Sequence, residues 1–414
     1  MTTIAKLQQS QLGTPTYHAG MIERTSRIES IDALRGLVMI VMVLDHVRHA
    51  FMLTGNPEDV ATTTPGLFLT RWITHFCAPV FVFLAGTSAW LYESRGRSKR
   101  EVARFLFTRG LWLVALEITV ISFGWIQTTG LVIWQVIAAI GVAMMTLSAL
   151  LFVPRWLMIT VGIFLIAGQD VYIQAMGWFS GDLAPLRKVL QSGGLISTPA
   201  VTMLVIYPVL PWIGVLTLGY AAGGLMSGEP HDRRTRFCKI GVCLVVAFVV
   251  IRSLDGFGNM RPFMEQAETG PGWIAFLACE KYPPSLAYLL MTLGPAMLGL
   301  ALFERVPGTI MRMLQVFGRV PLFFYILHIY MVQSSSRLLF WFTDDSPVLL
   351  LGAELSAHEG LSHIALLPIP ESLQGVGLFS TYLITAICVA VLYPMCRWFG
   401  KLKQRNRSVW LSYL

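Results

Sequence analysis

Long apolar segments follow one another along most of this 414-residue chain, and they constrain its fold more than any other feature. About 20 consecutive apolar residues are enough for a helix to cross the hydrocarbon core of a bilayer. Hydrophobic residues make up 55% of the chain and charged residues only 13%, whereas soluble domains carry about 25% charged residues. The sequence therefore predicts an all-α, polytopic membrane helix bundle whose first partner is the lipid bilayer.

Hydropathy divides the chain into one transmembrane domain and two polar tails. A polar tail at 1–29 precedes the domain at 30–400, and a basic tail follows at 401–414. A short interfacial helix is predicted at 303–316. About ten transmembrane helices are expected from the apolar runs. They are predicted at 31–53, 67–93, 109–126, 130–152, 157–175, 201–226, 240–254, 284–302, 317–341 and 376–398.

Basic residues fall on one side of this predicted bundle, which sets its orientation. Clusters around Arg24, Arg95 and Lys401 share that side, whereas the opposite loops are neutral or acidic, as at Glu58. Both termini are therefore predicted to be cytoplasmic in the inner (cytoplasmic) membrane. Topology then accounts for the net charge of +8, and no nucleic-acid partner is expected. The N-terminal 30 residues lack a signal-peptide pattern, so the first helix is expected to stay.

The first predicted helix carries ionisable residues at two depths, although charge inside a membrane is costly. Arg35 stands near one end of the apolar run, and Asp45 with His46 stands near the other. A step of eleven residues returns to nearly the same helix face, about 16 Å further along the axis. This stripe suits a ligand with an anionic part and a reactive part. His46 could then act as a general base on a hydroxyl or amine, with Asp45 orienting its ring.

Two other interpretations of Asp45 and His46 stay open at this point. The two residues could form a structural polar pair that seals the bundle. They could also bind a metal together with His49, which follows His46 by three residues on the helix. Zinc usually takes three or four ligands, and no further compact cluster supplies them, so no metal is expected. The six cysteines show no CxxC pairing and are predicted to be buried free thiols.

Other polar side chains inside the predicted helices are candidates for the same cavity. Arg71 and His75 lie four residues apart on one face of the second helix, where Pro79 should kink the chain and free a carbonyl. His75 could face the cavity or satisfy a neighbouring carbonyl. Glu117 could pair with a buried arginine or line the cavity. His328 could line the cavity or bond to a helix carbonyl.

Two proline-containing stretches mark irregular points of the chain. Tyr207–Trp212 would place two prolines inside the sixth helix, which must then bend or open. Lys281–Ser285 marks the external entrance to the eighth helix, where Lys281 could meet an anionic or sugar substrate or remain a solvated loop charge. The external loops at 255–283 and 342–375 are long for simple connections and could shape an external cavity.

The same residues carry a resemblance to a known family of membrane enzymes. The chain resembles the bacterial branch related to heparan-alpha-glucosaminide N-acetyltransferase over most of residues 27–400. Arg35 and His46 also match the pattern of arginine, ten residues, histidine of the wider transmembrane acyltransferase superfamily. The likeness is carried by Arg27–Gly36 with Asp45–His46, by Thr70–Pro79, by Lys281–Leu286 and by Phe317–Tyr325.

This resemblance implies an integral-membrane acyltransferase that acts across the bilayer. Acetyl-CoA or another acyl-CoA would be the co-substrate on the cytoplasmic side, with Arg35 near its pantetheine or phosphate end. A glycan or glycolipid would be the acceptor on the external side, and related enzymes allow a homodimer. The lysosomal heparan enzyme carries a histidine in the loop after its first helix, whereas residues 54–66 contain none. The candidates for holding the acceptor are Arg71, His75, Glu117, Lys281 and His328.

A transporter of a small anion or amphiphile is the alternative function, with Arg35 and Glu117 in its path. Transporters often contain paired repeats with matching broken helices. The sequence shows no repeat, and only the sixth predicted helix is strongly interrupted, which favours the enzyme. A non-catalytic membrane scaffold would leave the charged stripe of the first helix unexplained.

Overall fold

The structure is a computed structural model that describes residues 28–52, 56–127, 129–175, 181–199, 201–305, 308–341 and 375–406. Helices hold 76% of these residues. The first nine are α1 Glu29–Phe51, α2 Pro65–Thr74, α3 Cys77–Glu93, α4 Lys99–Leu116, α5 Ser122–Ile126, α6 Val136–Leu150, α7 Arg155–Ala167, α8 Gln169–Ala175 and α9 Ala184–Arg187. The others are α10 Val209–Ala221, α11 Pro230–Leu254, α12 Phe263–Ala267, α13 Gly272–Leu277, α14 Leu286–Phe303, α15 Thr309–Gly318, α16 Pro321–Trp341 and α17 Leu378–Arg405.

Short irregular helices and one small sheet connect these elements. A π-helical segment, Glu117–Ile121, joins α4 to α5. Three strands, β1 Leu131–Trp134, β2 Gly194–Ser197 and β3 Thr202–Val205, form a sheet in the order β1-β3-β2. β3 lies in the middle, parallel to β1 and antiparallel to β2.

The membrane character predicted from hydropathy is confirmed within the described residues. Six helical segments are long and apolar enough to cross a membrane, or seven if α15 and α16, bent by 81°, form one span. The number of ten spans and the cytoplasmic termini stay predictions. The six segments are α2 with α3, α4 through α5, α10 with its 3-10 extension to Met226, α11, α14 and α17.

α1 is absent from that set because it carries five charged side chains in 23 residues. It lies instead at the centre of the bundle, in contact with α2, α3, α14, α15, α16 and α17. Two glycines bring α15 directly onto it. A Cβ at Gly36 or at Gly318 would lie 1.9 Å from a backbone oxygen of the other helix. The backbone of α15 therefore packs against α1 beside Arg35.

The predicted second helix is split by its proline. α2 ends at Thr74, and α3 begins at Cys77. Pro79 lies in the first turn of α3 and has no N–H to donate to the carbonyl four residues earlier. That carbonyl, on His75, accepts a hydrogen bond from Tyr288 Oη at 2.8 Å. The expected freed carbonyl is therefore confirmed.

Several other predicted boundaries are wrong, for identifiable reasons. β3 and β1 replace the starts of the helices predicted at 201–226 and 130–152, since short apolar runs do not distinguish strand from helix. Pro208 and Pro211 therefore precede α10 or lie in its first turn, where a missing N–H costs nothing. α4 begins ten residues early because Ser98 and Glu101 form a capping box.

Two further expectations concern the cysteines and the ends of the chain. All six cysteines are free. Four are buried as predicted, whereas Cys238 is partly exposed and Cys243 is exposed. Residues 1–27, residues 342–374 of the loop predicted at 342–375, and residues 407–414 lie outside the described part of the chain.

Candidate functional site

A cavity of about 620 Å³ opens beside α1, and both ends of the charged stripe line it. Arg35, Asp45 and His46 all contribute to its wall. Between them the wall is largely apolar, with Met42, Ala85 and Leu113 among its residues. The face predicted from helical periodicity is therefore a single continuous surface in the structure.

Arg35 is held in place at one end of the cavity by three groups on three helices. It donates to Asp32 Oδ1 at 3.2 Å, to Ser88 Oγ at 3.0 Å and to the Gly318 carbonyl at 3.3 Å. α17 begins beside the C-terminal end of α1, where the Val376 amide donates to the Phe51 carbonyl. The C-terminal end of α17 lies at the Arg35 end of the cavity, since Lys403 and Arg35 both line its wall. Further cations of the cavity wall are Arg95, Arg109 and Lys403.

His46 is hydrogen-bonded to a second histidine from α16. His46 Nδ1 lies 2.7 Å from His328 Nε2, and His328 Nδ1 lies 3.0 Å from the carbonyl oxygen of Phe324. A carbonyl can only accept, so this network assigns the proton of neutral His328 to Nδ1 and makes its Nε2 an acceptor. His46 must then donate from Nδ1, and its lone pair lies on Nε2.

His46 Nε2 is the one ring nitrogen of the two histidines that is available to accept a proton from a ligand. No group in the described part of the chain hydrogen-bonds to His46 Nε2. The ring is also held by Trp125, edge to face, with a centroid distance of 4.7 Å. A histidine with one nitrogen fixed as donor and the other free can accept a proton from a ligand in the cavity.

Asp45 does not orient His46, contrary to the prediction. Its carboxylate accepts from Arg71 Nη1 at 2.8 Å through both oxygens, from Thr74 Oγ1 at 3.0 Å and from Arg48 Nη2 at 3.3 Å. The role expected of Asp45 at the ring of His46 is filled by His328.

Arg71 and His75 belong to the same ionic cluster and do not line the cavity. Glu58 Oε1 accepts from Arg71 Nε at 2.6 Å and lies 3.0 Å from His75 Nε2. Burial would raise the pKa of Glu58, but the charge of Arg71 and the hydrogen bond from His75 hold it well below its ordinary value. From the sequence Glu58 is predicted only to be a loop charge, because no neighbouring residue indicates its partners.

Glu117 takes neither of the two positions considered for it. The side chain is fully buried, does not line the cavity and forms no ion pair within the described residues. Its Oε2 accepts from the backbone amide of Ala138 at 2.9 Å, in the first turn of α6. A side-chain oxygen there satisfies an amide that has no partner within the helix. Glu117 is therefore a capping residue from a neighbouring helix.

Lys281 is the one predicted acceptor-binding residue that lines the cavity. It is 4% exposed, and its Nζ lies 5.0 Å from the centre of the Tyr282 ring. It is close enough to Asp45 and His46 to act on both electrostatically. The described residues contain no group of three or more His, Cys, Asp or Glu side chains that could hold a metal ion.

Part of the chain matches a known protein family. The family model described as heparan-alpha-glucosaminide N-acetyltransferase, catalytic, matches residues 27–254. The match covers more than half of the chain and contains Arg35 and His46, whereas Lys281 and His328 lie beyond it. Comparison with curated proteins gives no match.

Proposed function

Because the chain belongs to the heparan-alpha-glucosaminide N-acetyltransferase catalytic family, we propose that it transfers an acetyl group from acetyl-CoA to a carbohydrate acceptor across the inner membrane. The family indicates a transmembrane acetyltransferase. The proposal adds the donor, the class of acceptor and the direction. The observation that carries it is the open Nε2 of His46 on the wall of the cavity that also contains Arg35.

The basic end of the cavity supports acetyl-CoA as the donor. Arg35, Arg95, Arg109 and Lys403 line the wall and would meet the phosphates of the coenzyme. The apolar stretch beyond them suits an extended pantetheine arm that carries the thioester towards His46. This basic end is also the end that the positive-inside rule assigns to the cytoplasm, where acetyl-CoA is made.

In the proposed reaction His46 is the catalytic residue. Its Nε2 takes a proton from the acceptor hydroxyl or amine while that atom attacks the thioester carbonyl. The tetrahedral intermediate collapses as the carbon–sulfur bond breaks, and the thiolate of CoA takes the proton back from Nε2. The products are the acetylated acceptor and free CoA. Throughout, His328 Nε2 accepts a hydrogen bond from Nδ1–H of His46, and this bond stabilises the imidazolium.

The test uses the purified full chain in liposomes, supplied with labelled acetyl-CoA and envelope glycan extracts. Free CoA and a labelled, acetylated glycan identified by mass spectrometry are the expected products. Wild-type protein that releases no CoA with any extract would overturn the proposal. Flux of small anions through the same liposomes without acetyl-CoA would favour the transporter instead.

A further inference from the structure

Lys281 is presented to the cavity by a firmly held turn between α13 and α14. Asn259 Oδ1 accepts from the Glu280 amide at 3.0 Å and from Ser285 Oγ at 2.9 Å, so one side chain ties both ends of the turn. The Ser285 amide closes it by donating to the Glu280 carbonyl at 2.9 Å. The lysine is therefore buried, lines the cavity and has a defined position.

The charges around Lys281 do not balance within the described residues. Asp45 and Glu58 are the carboxylates of this region, and the guanidinium groups of Arg48 and Arg71 pair with them. Lys281 is a third cation, and its Nζ has no hydrogen-bond or ion-pair partner in the described part of the chain. The adjacent Glu280 pairs with Arg261 at 3.5 Å.

A buried ammonium without a counter-ion is costly, and a ligand anion would offset that cost. The phosphates of the donor have their own cations around Arg35, at the far end of the stripe. The cavity wall also holds Tyr207, a phenol that can donate a hydrogen bond and whose Oη lies 3.5 Å from Tyr282 Oη. Lysine and phenol together suit an anionic oxygen group.

We propose that Lys281 is the anion subsite for the acceptor, which carries a carboxylate or phosphate beside its reactive hydroxyl or amine. This inference rests on the proposed acetyl transfer to a carbohydrate. The proposed partner is an anion that the acceptor carries before the reaction, because the positive charge of Lys281 is unbalanced before any reaction begins. The family match ends at residue 254, so it assigns nothing to Lys281.

The experiment measures binding of two matched pairs of probe sugars by calorimetry, using the full chain in nanodiscs. One pair is methyl glucuronide and methyl glucoside, and the other is glucose 6-phosphate and glucose. Wild-type protein should bind the anionic member of one pair at least about tenfold more tightly, as expected for a charged hydrogen bond. The pair that shows the preference identifies carboxylate or phosphate.

Three variants assign that preference to Lys281. Lys281→Gln should bring the affinity ratio to about one, and Lys281→Arg should restore part of it. Lys239→Gln is the matched control, because it removes an exposed lysine that does not line the cavity, and it should keep the wild-type ratio. Circular dichroism and acetyl-CoA binding verify that each variant is folded.

Several results would overturn the anion subsite. Equal binding of both members of each pair by wild type would do so, as would a ratio that survives in Lys281→Gln. In Lys281→Gln, a kcat for acetyl transfer that falls equally for charged and neutral acceptors, with the affinity ratio of each pair unchanged, would instead assign Lys281 to the thioester oxygen. Acetyl transfer without a preference would remove only this inference, whereas a preference without transfer would remove only the proposed function.

Discussion

Two polar clusters begin at neighbouring residues of α1, and one consists of paired charges whereas the other consists of two histidines. Asp45 leads into an ionic cluster with Arg48, Arg71 and Glu58, in which the carboxylate of Asp45 alone accepts from three side chains. His46 forms a hydrogen-bonded pair with His328. Three of their four ring nitrogens take part in hydrogen bonds, and the fourth, His46 Nε2, keeps a free lone pair.

The difference separates groups that hold the bundle together from a group that can react. Buried charges that pair with one another are expensive to disturb, because removing one partner leaves the other charge uncompensated. A histidine with one fixed donor and one free acceptor keeps its proton-accepting atom available. Under the proposed function, adjacent positions on one helix therefore serve stability and chemistry separately.

The largest expected effect comes from removing the open nitrogen. His46→Ala should lower acetyl transfer by about 10²- to 10⁴-fold, the usual contribution of a general base, while thermal melting stays close to wild type. Steady-state transfer from labelled acetyl-CoA measures the loss. The exposed His231→Ala is the matched control and should retain activity. Retained transfer in His46→Ala would remove this residue from the mechanism.

The second effect comes from breaking the ionic cluster. Arg71→Gln leaves Asp45 and Glu58 without their main cation, and removal of one partner from a buried pair costs about 3–5 kcal/mol. Denaturant or thermal unfolding of the purified protein in detergent measures the loss of stability. The exposed Arg261→Gln should cost under about 1 kcal/mol. Equal stability of the two variants would show that the ion pairs of Arg71 do not stabilise the fold.

A smaller effect is expected at His328, which acts through His46 and is therefore a positioning residue. His328→Phe removes the acceptor of the His46 Nδ1 proton and should lower kcat by about tenfold or more, while the KM for acetyl-CoA changes little. His328→Gln offers a side-chain oxygen as acceptor and should recover part of kcat. If both variants changed KM and kcat alike, the role of His328 would be structural.

The smallest effect is a pH dependence of stability that involves Glu58. Its pKa in the folded protein lies well below the ordinary 4.5, so the folded state favours the ionised form. The stabilisation is complete above about pH 4.5 and is lost as the pH falls from there through the lowered pKa. Melting temperature recorded from pH 7 to pH 3 should drop less steeply in Glu58→Gln than in wild type. Parallel curves would contradict the assignment.

The face of α1 was predictable because it depends on a single helix. Spacing of about 100° per residue placed Arg35 and His46 on one stripe, and both line one cavity. The effect of Pro79 was equally local, since a missing amide always frees the carbonyl four residues earlier. The starts of the helices predicted at 130–152 and 201–226 were less predictable, because the apolar runs that form β1 and β3 are too short for their pattern to distinguish strand from helix.

The partners of the polar residues were not predictable, because they come from distant parts of the chain. His46 meets His328 across 282 residues, and Arg71 meets Asp45 across 26. Asp45 was predicted to orient His46 because the two residues are adjacent in sequence. Successive side chains on a helix point about 100° apart, so Asp45 and His46 meet different partners.

By itself the sequence determined that this chain is a membrane helix bundle of an acetyltransferase family, with a cation and an imidazole on one face of its first helix. Hydropathy, helical period and local motifs carry that information within short stretches. Only the tertiary structure decided that Glu117 caps α6, that Arg71 and His75 support the ionic cluster and that Lys281 reaches the cavity. Those outcomes depend on which helices pack together, and hydrogen bonds and ion pairs form wherever packing brings donor and acceptor within reach.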